Sequence, residues 1–174
     1  MDFRLRAENV LDEDEPYLYR AVGGYSHRVF MSIARDGGKT WPPAQPTDIP
    51  DSPSRRDTVR LDDGTIVMVG NQVAPNFDNG DKVKHYARDP LTVAVSRDGY
   101  VFERAYALRW NLPKKMRVDG VKGRGVGAQY PSAIVHEGSL YVLHTIGKED
   151  VGLSWVPLRE LGLRNGETLR SRSR

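Results

Sequence analysis

The stretch "ARDGGKTW", residues 34–41, decides how this chain is read, because it packs an aspartate, two glycines, a threonine and a tryptophan between two extended segments. Its chemistry is that of a stapled turn. The Asp36 carboxylate is placed to accept backbone N–H groups, glycines such as Gly38 supply positive-φ positions that a side chain resists, and Trp41 is large enough to pack between neighbouring sheets. A second copy follows at residues 96–102, "SRDGYVF", with Asp98 in the place of Asp36 and Phe102 as the closing aromatic. An internal repeat of about 60 residues points to a propeller or another repeat array. Both copies read as architecture rather than catalysis.

Around these turns the dominant period is two. "RVFMSIA" (28–34), "DTVRL" (57–61), "TIVMVG" (65–70), "LTVAVS" (91–96), "VFERAYAL" (101–108), "SAIVH" (132–136), "SLYVLHT" (139–145) and "VGLSWV" (151–156) are short, rich in β-branched and aromatic residues, and bounded by turn signals. The expected class is all-β. "LDDGTIV" and "HEGSLYV" each place a glycine-containing two-residue turn between alternating runs, which predicts tight antiparallel hairpins. Only "PLRELGLRNGE" suggests a turn of helix, closed by Gly162 and Gly166. The proline-rich residues 40–54 and the polar residues 72–90 are expected to be long loops, where binding groups tend to sit on an all-β scaffold.

Composition excludes several classes of function. With 174 residues, 39% of them hydrophobic and 28% charged, the chain can bury a core as one domain spanning 1–174. The formal net charge of +3 is partly carried by the terminal "LRSRSR", so the body is near neutral and no nucleic-acid partner is expected. Residues 167–174 are expected to be a frayed basic tail. There is no cysteine, hence no disulfide framework and no thiolate chemistry. The polar, acidic N-terminal stretch has no apolar segment resembling a signal peptide, and no run is long enough to span a membrane, so no membrane partner is expected. The four histidines, His27, His85, His136 and His144, lack metal-ligand spacing; "DNGD" (78–81) reads as a solvated turn rather than a calcium loop. No cofactor or metal is expected.

The pattern Ser-x-Asp-x-Gly-x-Thr-Trp resembles the Asp box of sialidases and of the wider group of bacterial neuraminidase repeat proteins. "ARDGGKTW" departs only at Ala34, and "SRDGYVF" is a degenerate copy without the threonine. The resemblance implies a propeller of four-stranded blades, with a box after the third strand of each. In the family the ring has six blades. This chain has strands for two to three, and resembles the C-terminal half.

Beyond the boxes, "DEPYLYR", "ARDPLTVAVSRDG" and "QYPSAIVHEGSLYVLH" are similar to sialidase segments that carry functional residues. The resemblance implies Tyr130 as nucleophile, Glu15 as the base that activates it, and Arg88 as one arginine of a clamp on the substrate carboxylate. Arg20, or else Arg28, would be a second clamp arginine, and Arg55 with Arg56, beside a strand start, would add to an anionic-sugar pocket. The chemistry suits an acidic sugar: an anionic nucleophile is repelled by the carboxylate at the anomeric carbon, whereas a neutral tyrosine can approach. Guanidinium forks grip carboxylates with two hydrogen bonds. On the residues alone, Glu15 also reads as one solvated charge in an acidic run, Arg88 as a surface residue, and Tyr130 as a packed aromatic. The family's first clamp arginine and its aspartate acid/base belong to the N-terminal half, which this chain does not match.

These readings lead to two classes of function. One is an exo-acting, sialidase-like glycosidase, or a fragment of one, working on a terminal acidic sugar. The other is a carbohydrate-binding repeat protein without catalysis, or a uronate-glycan lyase, on the same scaffold. Expected partners are an acidic glycan and a second copy that completes the ring. If the site forms, Tyr130, Glu15 and Arg88 converge at the strand ends nearest the propeller axis, and "KGRGVGAQYP" (122–131) faces it.

Overall fold

Alternating β-branched runs punctuated by Asp-Gly and Glu-Gly turns can bury their apolar faces only by forming sheets and stacking them. The computed structural model describes residues 28–50, 54–72, 88–112 and 127–163, and there the chain is all-β, as expected. The first sheet pairs β1 (Arg28–Met31) with β2 (Gln45–Pro50). The second runs in the order β3 (Asp57–Arg60), β4 (Ile66–Gly70), β5 (Leu91–Ser96) and β6 (Phe102–Arg109). The third comprises β7 (Ala128–His136), β8 (Ser139–Ile146) and β9 (Asp150–Pro157), followed by a short 3-10 helix at Leu158–Leu161. Every strand pair is antiparallel.

The hairpins follow the turn chemistry. Between β7 and β8, Glu137 and Gly138 both have positive φ, 45° and 71°, the backbone that suits a right-twisted two-residue hairpin. Between β3 and β4, the Asp63 carboxylate accepts the Thr65 N–H at 2.9 Å. The 3-10 helix ends at Gly162 in the left-handed region, as "PLRELGL" predicts. Gly166 lies outside the described residues, as does the tail 167–174.

Two boundaries differ from expectation. Residues 45–50 form a strand inside the proline-rich stretch 40–54, which was expected to be a loop. Pro46 and Pro50 lie opposite Phe30 and Arg28; as the last described strand of its sheet, β2 tolerates prolines whose missing N–H groups break no inner ladder. The strand around "SAIVH" begins at Ala128 rather than at residue 132, because its register shifts between Gln129 and Ser132, and this bulge carries the pairing past Pro131.

Burial shows how the sheets stack. In β4 and β5 every residue is buried, since both faces of the second sheet are covered. Val67, Val69, Val93 and Val95 turn to the third sheet and meet Ala133, Leu140 and Val142, with Leu158 and Leu161 of the 3-10 helix in the same cluster. Met68 and Ala94 turn the other way, onto Val29, Met31 and Ile49 of the first sheet, where Phe102 and Tyr100 also pack. Each fully buried aliphatic side chain contributes roughly 1.5–3 kcal/mol of hydrophobic free energy. β7 packs against both β3 and β4, so the leading strands of adjacent sheets are neighbours. Sequential antiparallel sheets, stacked face to face with their first strands together, form part of a β-propeller.

Register sorts the connections into two poles. One carries the β3–β4 and β7–β8 turns and both Asp-Gly repeats. The other gathers the start of β3, the end of β4, the starts of β5 and β7 and the β8–β9 turn. From this second pole the chain leaves toward residues 73–87 and 113–126. No helix among the described residues is long and apolar enough to cross a membrane.

Candidate functional site

The two Asp-Gly repeats are staples, as their composition implies. Asp36 accepts the N–H groups of Lys39 and Thr40 at 3.0 and 3.1 Å and the Thr40 hydroxyl at 2.5 Å. Asp98 accepts the N–H groups of Tyr100 and Val101, both at 2.8 Å, and the Ser96 hydroxyl at 3.1 Å. Gly38 and Gly99 have φ near +87° and +85°. Both carboxyls are held below the ordinary aspartate value, Asp36 chiefly by the Thr40 hydroxyl and Asp98 chiefly by the Val101 N–H. Trp41 donates its indole N–H to the Gly38 carbonyl at 3.0 Å and stays 42% exposed. It also lines a cleft of about 340 Å³ between the first two sheets, with Met31, Ile33, Asp57, Arg60 and Ile66. Phe102 packs at the same junction of sheets.

The opposite pole collects a different set of side chains. Ser54, Arg56, Asn71, Gln72, Arg88, Thr92 and Gln129 are buried polar residues, and all fall at strand ends of that pole. Asn71 is the hub: its amide donates to the carbonyls of Pro90 and Ala128, each at 3.0 Å, and its side-chain oxygen accepts the Ser54 hydroxyl at 3.1 Å. One side chain thereby ties β4, the approach to β5, and β7. Asp57, at the head of β3, accepts the Ala133 N–H at 2.7 Å and links the two leading strands.

Arg88 and Tyr130 come to this pole together. The backbone of Arg88 forms a parallel bridge with Gly127, three residues before Tyr130, and Arg88 is only 7% exposed. Three residues reach at most about 11 Å along an extended chain. Gly127 is required for the approach. It sits at φ +112°, and a Cβ there would fall 2.2 Å from the Arg88 carbonyl oxygen. Tyr130 occupies the bulge of β7 with φ +52°, a conformation that costs an ordinary residue about 1–3 kcal/mol and clusters at functional sites. It is half-buried, with the Lys148 ammonium 5.6 Å from its ring centroid.

The remaining candidates separate. Arg28 is exposed at the start of β1 and donates to the Thr47 carbonyl at 3.2 Å. Arg55 is exposed whereas its neighbour Arg56 is buried at the site pole, so Arg56 is the one turned inward. Glu15, Arg20 and "DNGD" lie outside the described residues, as do residues 122–126 of the glycine-rich stretch. His144 is 2% exposed, and its Nε2 shares a 3.0 Å hydrogen bond with the Ser154 hydroxyl, which accepts from Arg109 Nε at 2.8 Å. Burial, reinforced by the Arg109 charge, pulls the imidazole below its usual value. This trio fastens β6 to β8 and β9.

Asn71 and Lys148 were missed from sequence. "VGNQ" offers no local signal that Asn71 bridges two sheets, whereas the turn "IGKED" after a buried strand does place Lys148 at one pole. Among the described residues no cluster of three metal-ligating side chains occurs.

Comparison with known proteins agrees with this architecture. A family model described as a BNR repeat-like domain matches residues 11–142. No curated protein matches the chain.

Proposed function

The chain belongs to the BNR repeat-like domain family, and from that premise we propose that the pole opposite the Asp-Gly staples binds a terminal acidic sugar. The observation that carries this reading is the joint placement of Arg88 and Tyr130, one buried beside Gly127, the other raised on the bulge of β7 three residues later. Arg88, with Arg56 at the same pole, supplies guanidinium groups for a carboxylate. Tyr130 and Lys148 flank it with a ring face and a cation. In the glycosidase form of this reading Tyr130 is the nucleophile, Glu15 its base, and Arg20 a second clamp arginine.

The lyase reading with His144 as base has less support. Its ring is enclosed and bonded to Ser154, so a substrate proton cannot reach Nε2 without opening the β6–β9 contact. Carbohydrate binding without turnover is the reading kept beside the glycosidase.

Calorimetric titration with a sialylated trisaccharide, its methyl ester and its neutral parent tests the site. Binding of the acid alone, weakened at least tenfold by Arg88→Gln, is expected; equal binding of acid and ester overturns the proposal. A fluorogenic sialoside then separates the two forms. Turnover lost in Tyr130→Phe with binding retained identifies a glycosidase, and carboxylate-dependent binding without turnover identifies a binding module.

A further inference from the structure

Val67, Val69, Val93 and Val95 meet Ala133, Leu140 and Val142 in an apolar seam between the second and third sheets. His144 stands two residues past Val142 on the same face of β8, toward the site pole, and is 2% exposed. Gly152 lies opposite it in register, and a Cβ there would fall 2.6 Å from the ring carbon Cε1, so the ring fills space that a side chain at 152 would claim. Its two nitrogens are treated differently. Nε2 meets the Ser154 hydroxyl at 3.0 Å, and that oxygen accepts Arg109 Nε at 2.8 Å, whereas Nδ1 is buried with no hydrogen-bond partner among the described residues. A neutral ring suits this setting, because Nε2 can accept the hydroxyl that Arg109 orients. A protonated ring does not: Nε2 can no longer accept, two cations converge on one oxygen, and a charged N–H is left buried at Nδ1. The neighbouring elements bring Arg109 on β6, Asp150 on the face of β9 that carries Gly152, Tyr130 on the bulge of β7, Arg88 and Asp89 before β5, and Lys148 and Glu149 in the turn; β5 itself has no charged residue. The hydrogen bond of the ring goes to none of these groups but to Ser154.

The hairpin that carries His144 ends in a turn at the site pole. There the Gly147 N–H donates to the Gly127 carbonyl at 3.0 Å and the Thr145 hydroxyl to the Gln129 carbonyl at 3.2 Å, and Lys148 follows, its ammonium 5.6 Å from the Tyr130 ring centroid. We propose that the Arg109–Ser154–His144 chain is an acid-sensitive latch: with His144 neutral it holds the β8–β9 turn against the head of β7, and protonation of His144 frees that turn as a local unit. The ring reaches water only if the last rungs of β8 and β9 lift from β6, and Gly147 and Lys148 move with them. Burial and the Arg109 charge both oppose the proton in the closed form, whereas in the open form the imidazole returns to an ordinary value of about 6.5. The opening equilibrium therefore grows about tenfold per pH unit below about 6.5, until the closed-form value is reached. What the latch controls, the setting of Lys148 beside Tyr130, rests on the reading of this pole as a sugar site.

Amide hydrogen exchange on the full chain, followed residue by residue by NMR from about pH 7.5 to about pH 5, tests the latch. The Gly147 N–H should be at least roughly tenfold less protected than the Leu158 N–H, which bonds the Gly138 carbonyl at the other end of the same sheet. Corrected for the intrinsic rate, Gly147 protection should fall about tenfold per pH unit below about 6.5, and in His144→Gln that slope should vanish with the circular dichroism unchanged. Equal protection of Gly147 and Leu158 at every pH overturns the proposal, because only global unfolding then exposes the turn. A flat profile for Gly147, or a slope that survives in His144→Gln, overturns it too. A sialylated trisaccharide separates the latch from the sugar reading: at about 100 times its Kd it should raise Gly147 protection about 100-fold. Calorimetric binding without that rise overturns control of the site by the latch, whereas absence of calorimetric binding overturns the sugar reading and leaves the pH profile to decide the latch.

Discussion

Asp98 shows how one carboxylate holds a turn. It accepts two backbone N–H groups and a hydroxyl, and these bonds are strongest while it is ionised. Because its folded pKa lies below 3.8, the unfolded chain takes up the proton first as acid is added. Its contribution is therefore present above about pH 4 and lost as pH falls through the folded value. Asp98→Asn is expected to cost on the order of 1 kcal/mol at pH 7 and to flatten the acid limb, as read by urea midpoints between pH 2 and 6. His144 acts through the opposite charge. Its folded pKa is depressed below 6.5, so the unfolded state binds the proton first here too. Stability is full above about pH 6.5 and declines as pH falls toward the folded value. His144→Gln should remove that slope, as read by urea midpoints between pH 5 and 8.

The bulged head of β7 is a local structure that depends on a distant partner. Gly127 permits the Arg88 carbonyl to approach, and a methyl group there would meet it at 2.2 Å. Gly127→Ala should destabilise the protein by about 2–4 kcal/mol and weaken sugar binding beyond its effect on folding. The comparison is Gly37→Ala: Gly37 has φ +73° but nothing within 4 Å of its added Cβ, so it reports left-handed strain alone, about 1–2 kcal/mol. Strands themselves were legible where alternation is regular. β2 was not, since "QPTDIP" (45–50) carries two prolines and only an edge accepts them. Arg55 and Arg56 show the same limit at finer grain, because a register step of one residue decides which of them turns inward.

Stacking of the sheets is what makes the molecule cohere. Leu140 is fully buried between the second and third sheets, while Leu153, on the next strand, is 59% exposed on the outer face. Leu140→Ala should cost about 2–5 kcal/mol by cavity formation, and Leu153→Ala should change stability by less than about 0.5 kcal/mol. Urea unfolding of the two variants checks this. The Asn71 hub predicts coupling across the same junction. Asn71→Ala leaves the Ala128 and Pro90 carbonyls without that donor, at a cost of about 1–3 kcal/mol.

Turn chemistry and strand period are local, so the residues alone determined the all-β class, the two stapled turns, the hairpins and the repeat that marks a propeller. Neither carries information about which face of a strand is covered, or about contacts between residues far apart in the chain. Met68 and Val67 are neighbours of similar hydrophobicity, yet they serve different interfaces. Asn71 reaches Ala128 across a separation of 57 residues. Only stacking decided that the polar strand ends gather at one pole, that Arg56 rather than Arg55 turns into it, and that, among the described residues, the second sheet is covered on both faces and the third on one, because burial of a face depends on what the fold brings against it.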